Sequence, residues 1–410
     1  MCKSVNIVLV LIFACFAGYV LSAGEAKEES GDFPFKLFRI AIDENPDRNV
    51  VLSPNSLKST LMLLETGAVG ETGAEIRSLL GISDKNEDQA VFVTNEQNVV
   101  AFASLWLQKD APILPEFRQK AKKRFDAEVR LVDFAGNVND ATQKINAWVA
   151  EKTKDRIPLL YDRLDPISRL VVADAVVFED RWKTAFAEEE TFSGEFTLPG
   201  GEKIKTDLMS RTGSFQHKEG NEALILELPY KTAGYSMLIL LPSNNMTLAE
   251  METKISAEKL AEWCGELEKT ELEVQLPKFA LESETPCNEI LRKLGVKQAF
   301  SREADFSRIN GLHDLYLSDV KQRVFLRVDE SGTEAAAVTG AVLKPKAMLK
   351  ETKPFYVNRP FLFVIRHRET SNILFLGRIV DPREKVPQGK IEEETVTTDP
   401  SLRGEGGSFN

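Results

Sequence analysis

The chain has 410 residues, 43% of them hydrophobic and 28% charged, and a formal net charge of -11 at pH 7. This length can bury a large hydrophobic core without a disulfide scaffold. It allows two or three domains or a single large one, and no internal linker or repeat argues for a split. The acidic balance argues against nucleic acid as a partner and against a general affinity for sulfated polyanions.

The first 23 residues have the pattern of a secretory signal peptide. Lys3 precedes an apolar run over residues 8–20, and Leu21-Ser22-Ala23 follows, as expected before a cleavage site. The apolar run is short for a membrane span. We therefore expect a secreted, extracellular protein with no membrane anchor. Beyond this segment, Cys264 and Cys287 can pair in an oxidising compartment or stay as buried thiols.

Hydrophobic periodicity predicts helices over residues 33–43, 56–67 and 139–154. Residues 170–182, LVVADAVVFEDRW, form a nearly uniform apolar run, which is typical of a central strand buried on both faces. Further strands are predicted over residues 101–107, 222–230 and 235–241. The chain therefore mixes helices and strands without a regular alternation.

The most unusual stretch lies late in the chain, between apolar runs over residues 324–328 and 361–365. Its sequence over residues 328–351 is VDESGTEAAAVTGAVLKPKAMLKE, which is long and rich in small residues for a connection. From Thr333 to Leu343 every second residue is uncharged, and a period of two is typical of a strand. The pattern predicts a loop that can become a strand.

Glu330-Ser331-Gly332-Thr333-Glu334-Ala335-Ala336-Ala337 resembles the hinge of inhibitory serpins. Motifs with the order and spacing of that family lie at residues 49–56 (NVVLSPNS), 145–149 (INAWV), 226–230 (LELPY), 236–242 (SMLILLP) and 358–365 (NRPFLFVI). Each motif is weak alone, but their order and spacing together are specific. The chain resembles secreted inhibitory serpins of the arthropod extracellular type.

The resemblance implies an α+β fold. A single serpin domain over residues 33–382 would hold a large central mixed sheet, further β-sheets, about eight or nine helices and an exposed reactive loop. Residues 383–410 fall outside the pattern, and their polar composition predicts a disordered tail. Between Gly81 and Val99, where many relatives carry a heparin-binding helix, this chain is short and acidic. We expect that helix to be truncated and expect no heparin-type cofactor.

The resemblance further implies inhibition by a suicide-substrate mechanism. A serine protease attacks the loop and forms a covalent acyl-enzyme, and residues 332–345 then insert as a strand into the central sheet. In the family register the scissile bond lies sixteen residues past Glu330, between Lys346 and Ala347. A cut after Lys350 is the alternative.

The chemistry of the loop agrees with that register. Lys346 offers an ammonium group to the acidic specificity pocket of trypsin-like proteases. Pro345 narrows the choice of protease because its ring fixes φ. The expected partner of the monomeric inhibitor is thus a trypsin-like extracellular serine protease.

Five residues match the family's sheet-opening region: Ser53, Ser56, Asp174, Trp182 and Gln322. Two of them depart from the family pattern, because Asp174 stands where the family has Asn and Gln322 where it has His. An unpaired buried Asp would be costly, but Gln322 can donate a hydrogen bond to it. We hypothesise that this pair replaces the usual latch beneath the parting strands.

Two surface features remain. Asn245-Met246-Thr247 follows a predicted strand and predicts glycosylation of Asn245. The basic run over residues 118–124, RQKAKKR, is interpreted first as a solvated helix face, with a polyanion site as the alternative.

Two other function classes fit the sequence less well. A non-inhibitory serpin that acts as a carrier or chaperone is the alternative function, although such relatives often have bulky or charged hinge residues and this hinge has neither. An enzyme is disfavoured because the sequence has no G-x-S-x-G, H-E-x-x-H or phosphate-binding glycine motif. Only three histidines occur, far apart, so no metal, cofactor or catalytic residue is expected.

Overall fold

The computed structural model describes residues 32–82, 99–333 and 352–383. The expectations that fall on other residues are the signal peptide over 1–23, the truncated helix after Gly81, the reactive loop from Glu334 through Ala337 to Pro345, Lys346 and Ala347, and the tail beyond Arg383. Within the described ranges, no helix is both long enough and apolar enough to cross a membrane.

Nine α-helices lie in the described residues. They are α1 Phe33–Asp43, α2 Pro54–Gly67, α3 Gly70–Leu80, α4 Pro115–Phe125, α5 Phe134–Lys152, α6 Leu248–Lys254, α7 Ala257–Gly265, α8 Cys287–Lys293 and α9 Ser307–Asn310. Helix α2 begins two residues before its predicted start, because Ser53 is its N-cap and Pro54 its first residue, a position where the missing proline N–H costs nothing.

Sixteen strands complete the described fold. They are β1 Val50–Leu52, β2 Val99–Gln108, β3 Glu128–Val132, β4 Leu170–Phe178, β5 Asp180–Arg181, β6 Phe192–Thr197, β7 Lys203–Glu219, β8 Ala223–Pro229, β9 Tyr235–Pro242, β10 Glu268–Pro277, β11 Phe279–Pro286, β12 Leu317–Val328, β13 Gly332–Thr333, β14 Lys353–Tyr356, β15 Phe361–His367 and β16 Ile373–Ile379.

The sheet that carries the hinge, here called the central sheet, has seven strands. Its order is β3-β2-β4-β12-β13-β5, with β11 paired to the other edge of β12. Strand β4 runs parallel to β12 and antiparallel to β2, and all nine of its residues are buried. A continuous apolar strand of this kind requires cover on both faces.

Helices supply that cover. On one face α5 packs on β4, and Trp148 of α5 meets Trp106 of β2 edge-on with ring centroids 6.1 Å apart. On the other face α2 contributes Leu57 and Leu61 to the core that contains Leu170 and Val172. The predicted helix over 139–154 begins at Phe134 in the structure, and a non-helical Asn137 separates its first turn from the rest.

A nine-stranded sheet forms the second layer. Its order is β1-β16-β15-β9-β8-β7-β10-β14, with β6 paired to β7. The α+β prediction is therefore confirmed. Cys264 and Cys287, for which pairing was left open, are both free thiols. The basic run lies on α4, whose buried residues are Phe117, Ala121 and Phe125.

Candidate functional site: the loop hinge and the sheet opening

The chain leaves β12 at Val328 and reverses direction at once. The Asp329 carboxylate Oδ1 accepts the N–H bonds of Ser331 at 2.9 Å and Gly332 at 3.3 Å. The Asp329 N–H donates to the Gly332 carbonyl at 2.9 Å. An aspartate that accepts from its own backbone two residues on is a common device in tight turns. This turn sends the hinge back antiparallel to β12.

The first hinge residues are already part of the central sheet. Strand β13 lies between β12 and β5: Thr333 pairs with Val328 on one side and with Asp180 on the other. Strand β5 follows β4 after a single residue. Strand β13 therefore lies at one end of the β4–β12 pairing, between β12 and the continuation of β4. The sequence did not predict this pairing in the intact chain.

Gly332 is required by the close approach of β5. A Cβ atom at this position would lie 2.2 Å from the Asp180 carbonyl oxygen and 2.6 Å from Arg181 Cα. Real Cβ atoms do not make such close backbone contacts, so only glycine at position 332 lets β13 pair with β5.

Thr333 is fully buried, and its side chain has a defined seat. Its hydroxyl shares a 2.7 Å hydrogen bond with the Tyr230 hydroxyl. The Tyr230 ring stacks on Trp182, with centroids 4.7 Å apart. Trp182 in turn donates from Nε1 to the Asp329 carbonyl at 2.9 Å and from its backbone N–H to the Ser331 carbonyl at 2.9 Å. We call Trp182 and Tyr230 the hinge seat.

Glu330 ties the turn to two neighbouring segments. Its Oε1 accepts from the Thr191 hydroxyl at 2.7 Å, and its Oε2 lies 3.0 Å from Lys278 Nζ. The Phe186 N–H donates to the Glu330 carbonyl at 2.9 Å. Burial opposes ionisation of the Glu330 carboxyl, but the bonds from Thr191 and Lys278 prevail and lower its pKa.

The predicted residues beneath the opening also meet. Gln322 lies opposite Asp174 in the pairing of β12 with β4, and its Nε2 donates to Asp174 Oδ2 at 2.8 Å. Gln322 additionally donates to the Ser53 carbonyl at 3.0 Å and accepts from the Ser53 N–H at 2.8 Å. The Ser56 hydroxyl donates to Asp174 Oδ1 at 2.6 Å. Strands β4 and β12 are thereby joined to the start of α2.

The Asp174 carboxyl is fully buried. Burial raises its pKa to about 6, and the hydrogen bonds from Ser56 and Gln322 only partly oppose that rise. The contact therefore places a titrating group between β4 and β12. Whether the pair acts as a latch stays a prediction.

Sequence reasoning did not assign a role to Tyr230, to Lys278 or to strand β5. Tyr230 and Lys278 stand in segments that resemble the family, but each meets the hinge only through the fold, across 103 and 52 residues of chain respectively. Strand β5 is two residues long and charged, which gives no local strand signal. Among the described residues, no cluster of His, Cys, Asp and Glu could hold a metal ion.

Comparison with known proteins decides the family. A family model described as Serpin (serine protease inhibitor) matches residues 28–382. The chain is a serpin. It is 35% identical to leukocyte elastase inhibitor of Bos taurus, over 85% of this chain and 97% of the relative.

Solved serpin structures have the same fold. Human thyroxine-binding globulin in complex with its ligand superposes with a TM-score of 0.79 at 27% identity, covering 87% of this chain and 98% of that one. Mouse protein-Z dependent protease inhibitor gives a TM-score of 0.77 at 27% identity, covering 87% and 97%. Inhibitors among the relatives support protease inhibition, with a serine protease as the general kind of partner.

Proposed function

We propose that this serpin inhibits a trypsin-like extracellular serine protease as a suicide substrate, with Lys346–Ala347 as the bond attacked. The observation that carries the proposal is the position of β13 between β12 and β5. The first residues of the hinge thus already lie at the end of the β4–β12 pairing, between which the rest of the loop would insert. Lysine chemistry at position 346 and the family register support the trypsin-like specificity.

The chemistry uses the protease's own machinery. The protease serine oxygen attacks the Lys346 carbonyl carbon, the C–N bond to Ala347 breaks, and the amine leaves with a proton while Lys346 stays esterified to the enzyme. The loop is then free at one end and can extend β13 between β4 and β12. About a dozen new backbone hydrogen bonds at roughly 0.5–1.5 kcal/mol each supply a driving force on the order of 10 kcal/mol.

The side-chain pattern of the loop supports this path. Thr333 faces the buried hinge seat, and strand alternation assigns Ala335, Ala337 and Thr339 to the same face. All are small and uncharged, so they can enter a covered sheet without burying an ionised group.

A trypsin incubation followed by a denaturing gel tests the proposal. The expected result is an SDS-stable band at the summed mass of inhibitor and protease, and mass spectrometry should place the new amino terminus at Ala347. Lys346→Ala should abolish the complex, whereas the matched Lys350→Ala should leave it unchanged. Loss of the complex in the Lys350 variant alone would move the reactive bond to Lys350.

A carrier function is the second candidate, because thyroxine-binding globulin shares the fold at a TM-score of 0.79. The same gel separates the two functions. A carrier of this kind would be cut by trypsin without forming an SDS-stable complex. Wild type, Lys346→Ala and Lys350→Ala would then all lack the complex band.

We also propose that the serpin is secreted, acts as a monomer without a heparin-type cofactor, and resembles arthropod extracellular serpins in this respect. Residues 1–23 have the signal-peptide pattern, and Asn245 is exposed in the turn between β9 and α6. Expression in insect cells should release a protein that begins near residue 24, with a mass that falls after N-glycosidase treatment. Retention in the cells with Met1 intact would contradict secretion.

A further inference from the structure

A cavity of about 230 Å³ lies beside the hinge seat. Its walls come from β7, from β8, from the segment of residues 182–184 that follows β5, from the start of β10 and from the residue that follows β15. Four cationic side chains line it, with a single carboxylate among them: Lys183, Arg211, Lys269 and Arg368, against Glu227. In a chain with a net charge of -11, such a local excess of positive charge stands out.

Arg211 is the most deeply placed of these cations. Its guanidinium lies 4.9 Å from the Phe186 ring centroid and 4.5 Å from that of Phe215, and it donates to the Thr184 carbonyl. Within the described ranges none of its partners is a carboxylate. Arg211 is half-buried, and a partly desolvated cation without an anionic partner is unfavourable, so an anion in the cavity would reduce that cost.

The one carboxylate in the wall is already engaged. Glu227 Oε1 accepts from the Ser236 hydroxyl at 2.8 Å and from Arg366 at 2.9 Å, and Arg368 Nε lies 3.5 Å from it. Neither Lys183 nor Lys269 forms an ion pair with any residue that the structure describes. The positive charge that these lysines and Arg211 bring to the cavity is therefore not neutralised by its own wall.

We propose that this cavity binds a small molecule that carries a phosphate or sulfate group. A tetrahedral oxyanion can accept from Lys183, Lys269 and Arg211 together. The volume corresponds to about seven or eight water molecules, which suits an oxyanion with a small attached group. Phe215 and Leu228, which also line the cavity, offer an apolar wall to that group.

The site is physically joined to the hinge. Trp182 lines the cavity, and its backbone N–H donates to Ser331 while the Phe186 N–H donates to Glu330, both at 2.9 Å. A ligand that holds the segment of residues 182–186 in place should therefore stabilise the turn after β12. This coupling rests on the proposed function, whereas binding itself does not.

Isothermal titration calorimetry at fixed ionic strength tests the binding. The probes are phenyl phosphate and phenyl sulfate, with phenol as the uncharged control. We expect saturable one-site binding of an oxyanion probe and no binding of phenol. The two anionic probes separate the sources, because preference for the phosphate ester indicates a dianion site and equal binding indicates a sulfate-tolerant one.

Matched variants locate the site. Lys183→Gln with Lys269→Gln removes two exposed lysines from the wall and should weaken binding about tenfold or more. Lys203→Gln with Lys205→Gln removes two exposed lysines elsewhere on β7 and should change binding less than about twofold. Arg211→Lys keeps the charge and should bind better than Arg211→Gln.

Two results would overturn the proposal: no saturable binding of either anion, or equal weakening in the two double-lysine variants. The coupling is read separately from hydrogen exchange of the Trp182 and Phe186 amides, which should slow when the site is filled; unchanged exchange would refute the coupling. Because calorimetry needs no protease, a failure of the inhibitor proposal on the trypsin gel leaves this test intact.

Discussion

Asp174 is a buried titratable side chain at the pairing of β4 with β12. It lies fully buried in β4, and its hydrogen-bond partners in the described part of the chain are the neutral donors Ser56 and Gln322. Burial raises its pKa to about 6, with those two bonds opposing the rise. At pH 7 the carboxyl is therefore mostly ionised in an environment that disfavours the charge.

The sign of the resulting pH dependence is fixed by that raised value. The folded pKa of about 6 exceeds the ordinary value of 3.8, so the folded state holds the Asp174 proton more tightly than the unfolded state does. The contribution of this protonation to the stability of the fold is complete below pH 3.8 and is lost as the pH rises through 6. The change between these limits is about 3 kcal/mol at most. Urea unfolding of wild type and Asp174→Asn from pH 5 to pH 8 should show wild type gaining on the variant as pH falls.

The other titrating groups are common to wild type and Asp174→Asn, so their contributions cancel in the difference between the two unfolding free energies. The amide introduced by Asp174→Asn can accept from Gln322 through its oxygen but must donate to the Ser56 hydroxyl instead of accepting from it, so the readout is the pH trend and not the variant's absolute stability. A stability difference that stays constant from pH 5 to pH 8 would rule out titration of Asp174 in this range.

Thr333 tests insertion at the same scale. It is fully buried with its hydroxyl 2.7 Å from that of Tyr230, so Thr333→Arg would have to bury a guanidinium where β13 enters the sheet. We expect the variant to be cleaved by trypsin as a substrate. An increase of about 1.4 kcal/mol in the activation free energy of insertion slows insertion tenfold. The ratio of covalent complex to cleaved inhibitor should then fall by a similar factor.

The gel ratio of complex to cleaved inhibitor measures this partition. Glu334→Arg is the matched control, since alternation assigns position 334 to the outward face. An undiminished complex with Thr333→Arg, or equal loss in both variants, would contradict insertion along the predicted face.

At the scale of elements, the Glu330 side chain ties the turn between β12 and β13 to two other segments of the chain. The carboxylate of Glu330 lies 3.0 Å from Lys278, between β10 and β11, and 2.7 Å from Thr191 at the start of β6. The Glu330 side chain is 9% exposed and that of Lys278 is 38% exposed. Solvent at the lysine end keeps this ion pair modest in strength.

A double-mutant cycle with Glu330→Gln and Lys278→Met measures that pair. We expect a coupling of about 1 kcal/mol that weakens in high salt. After cleavage of the loop, both single variants should also show a changed rate of loop insertion, because each substitution loosens the same turn. Strictly additive effects on unfolding would show that the pair does not hold the hinge.

The same elements show what the sequence could and could not predict. The hinge, the all-buried strand β4 and the facing positions of Asp174 and Gln322 follow from local patterns and from the family resemblance, and the structure places those two side chains 2.8 Å apart. The insertion of Gly332 and Thr333 beside β5 could not be predicted, because it depends on Tyr230, Trp182 and a two-residue charged strand that only the fold brings together.

At the scale of the molecule, β4 and β12 must separate before the loop can enter between them. Their pairing runs from Leu170 opposite Leu317 to Val177 opposite Phe325, and it would be replaced by two new pairings, one on each side of the inserted strand. The inserted sheet therefore has more backbone hydrogen bonds than the intact one. On the proposed mechanism, the intact protein is therefore held by a kinetic barrier and not by equilibrium.

Cleavage should therefore stabilise the protein, which is the reverse of what a cut does to an ordinary domain. A gain on the order of 10 kcal/mol, at about 1–2 °C per kcal/mol for a domain of this size, predicts a melting temperature higher by roughly 10–20 °C. Differential scanning calorimetry of intact and trypsin-clipped protein measures it, and clipped Thr333→Arg should show a much smaller rise. Equal melting temperatures for intact and clipped wild type would mean that no strand had entered the sheet, and inhibition by insertion could not then operate.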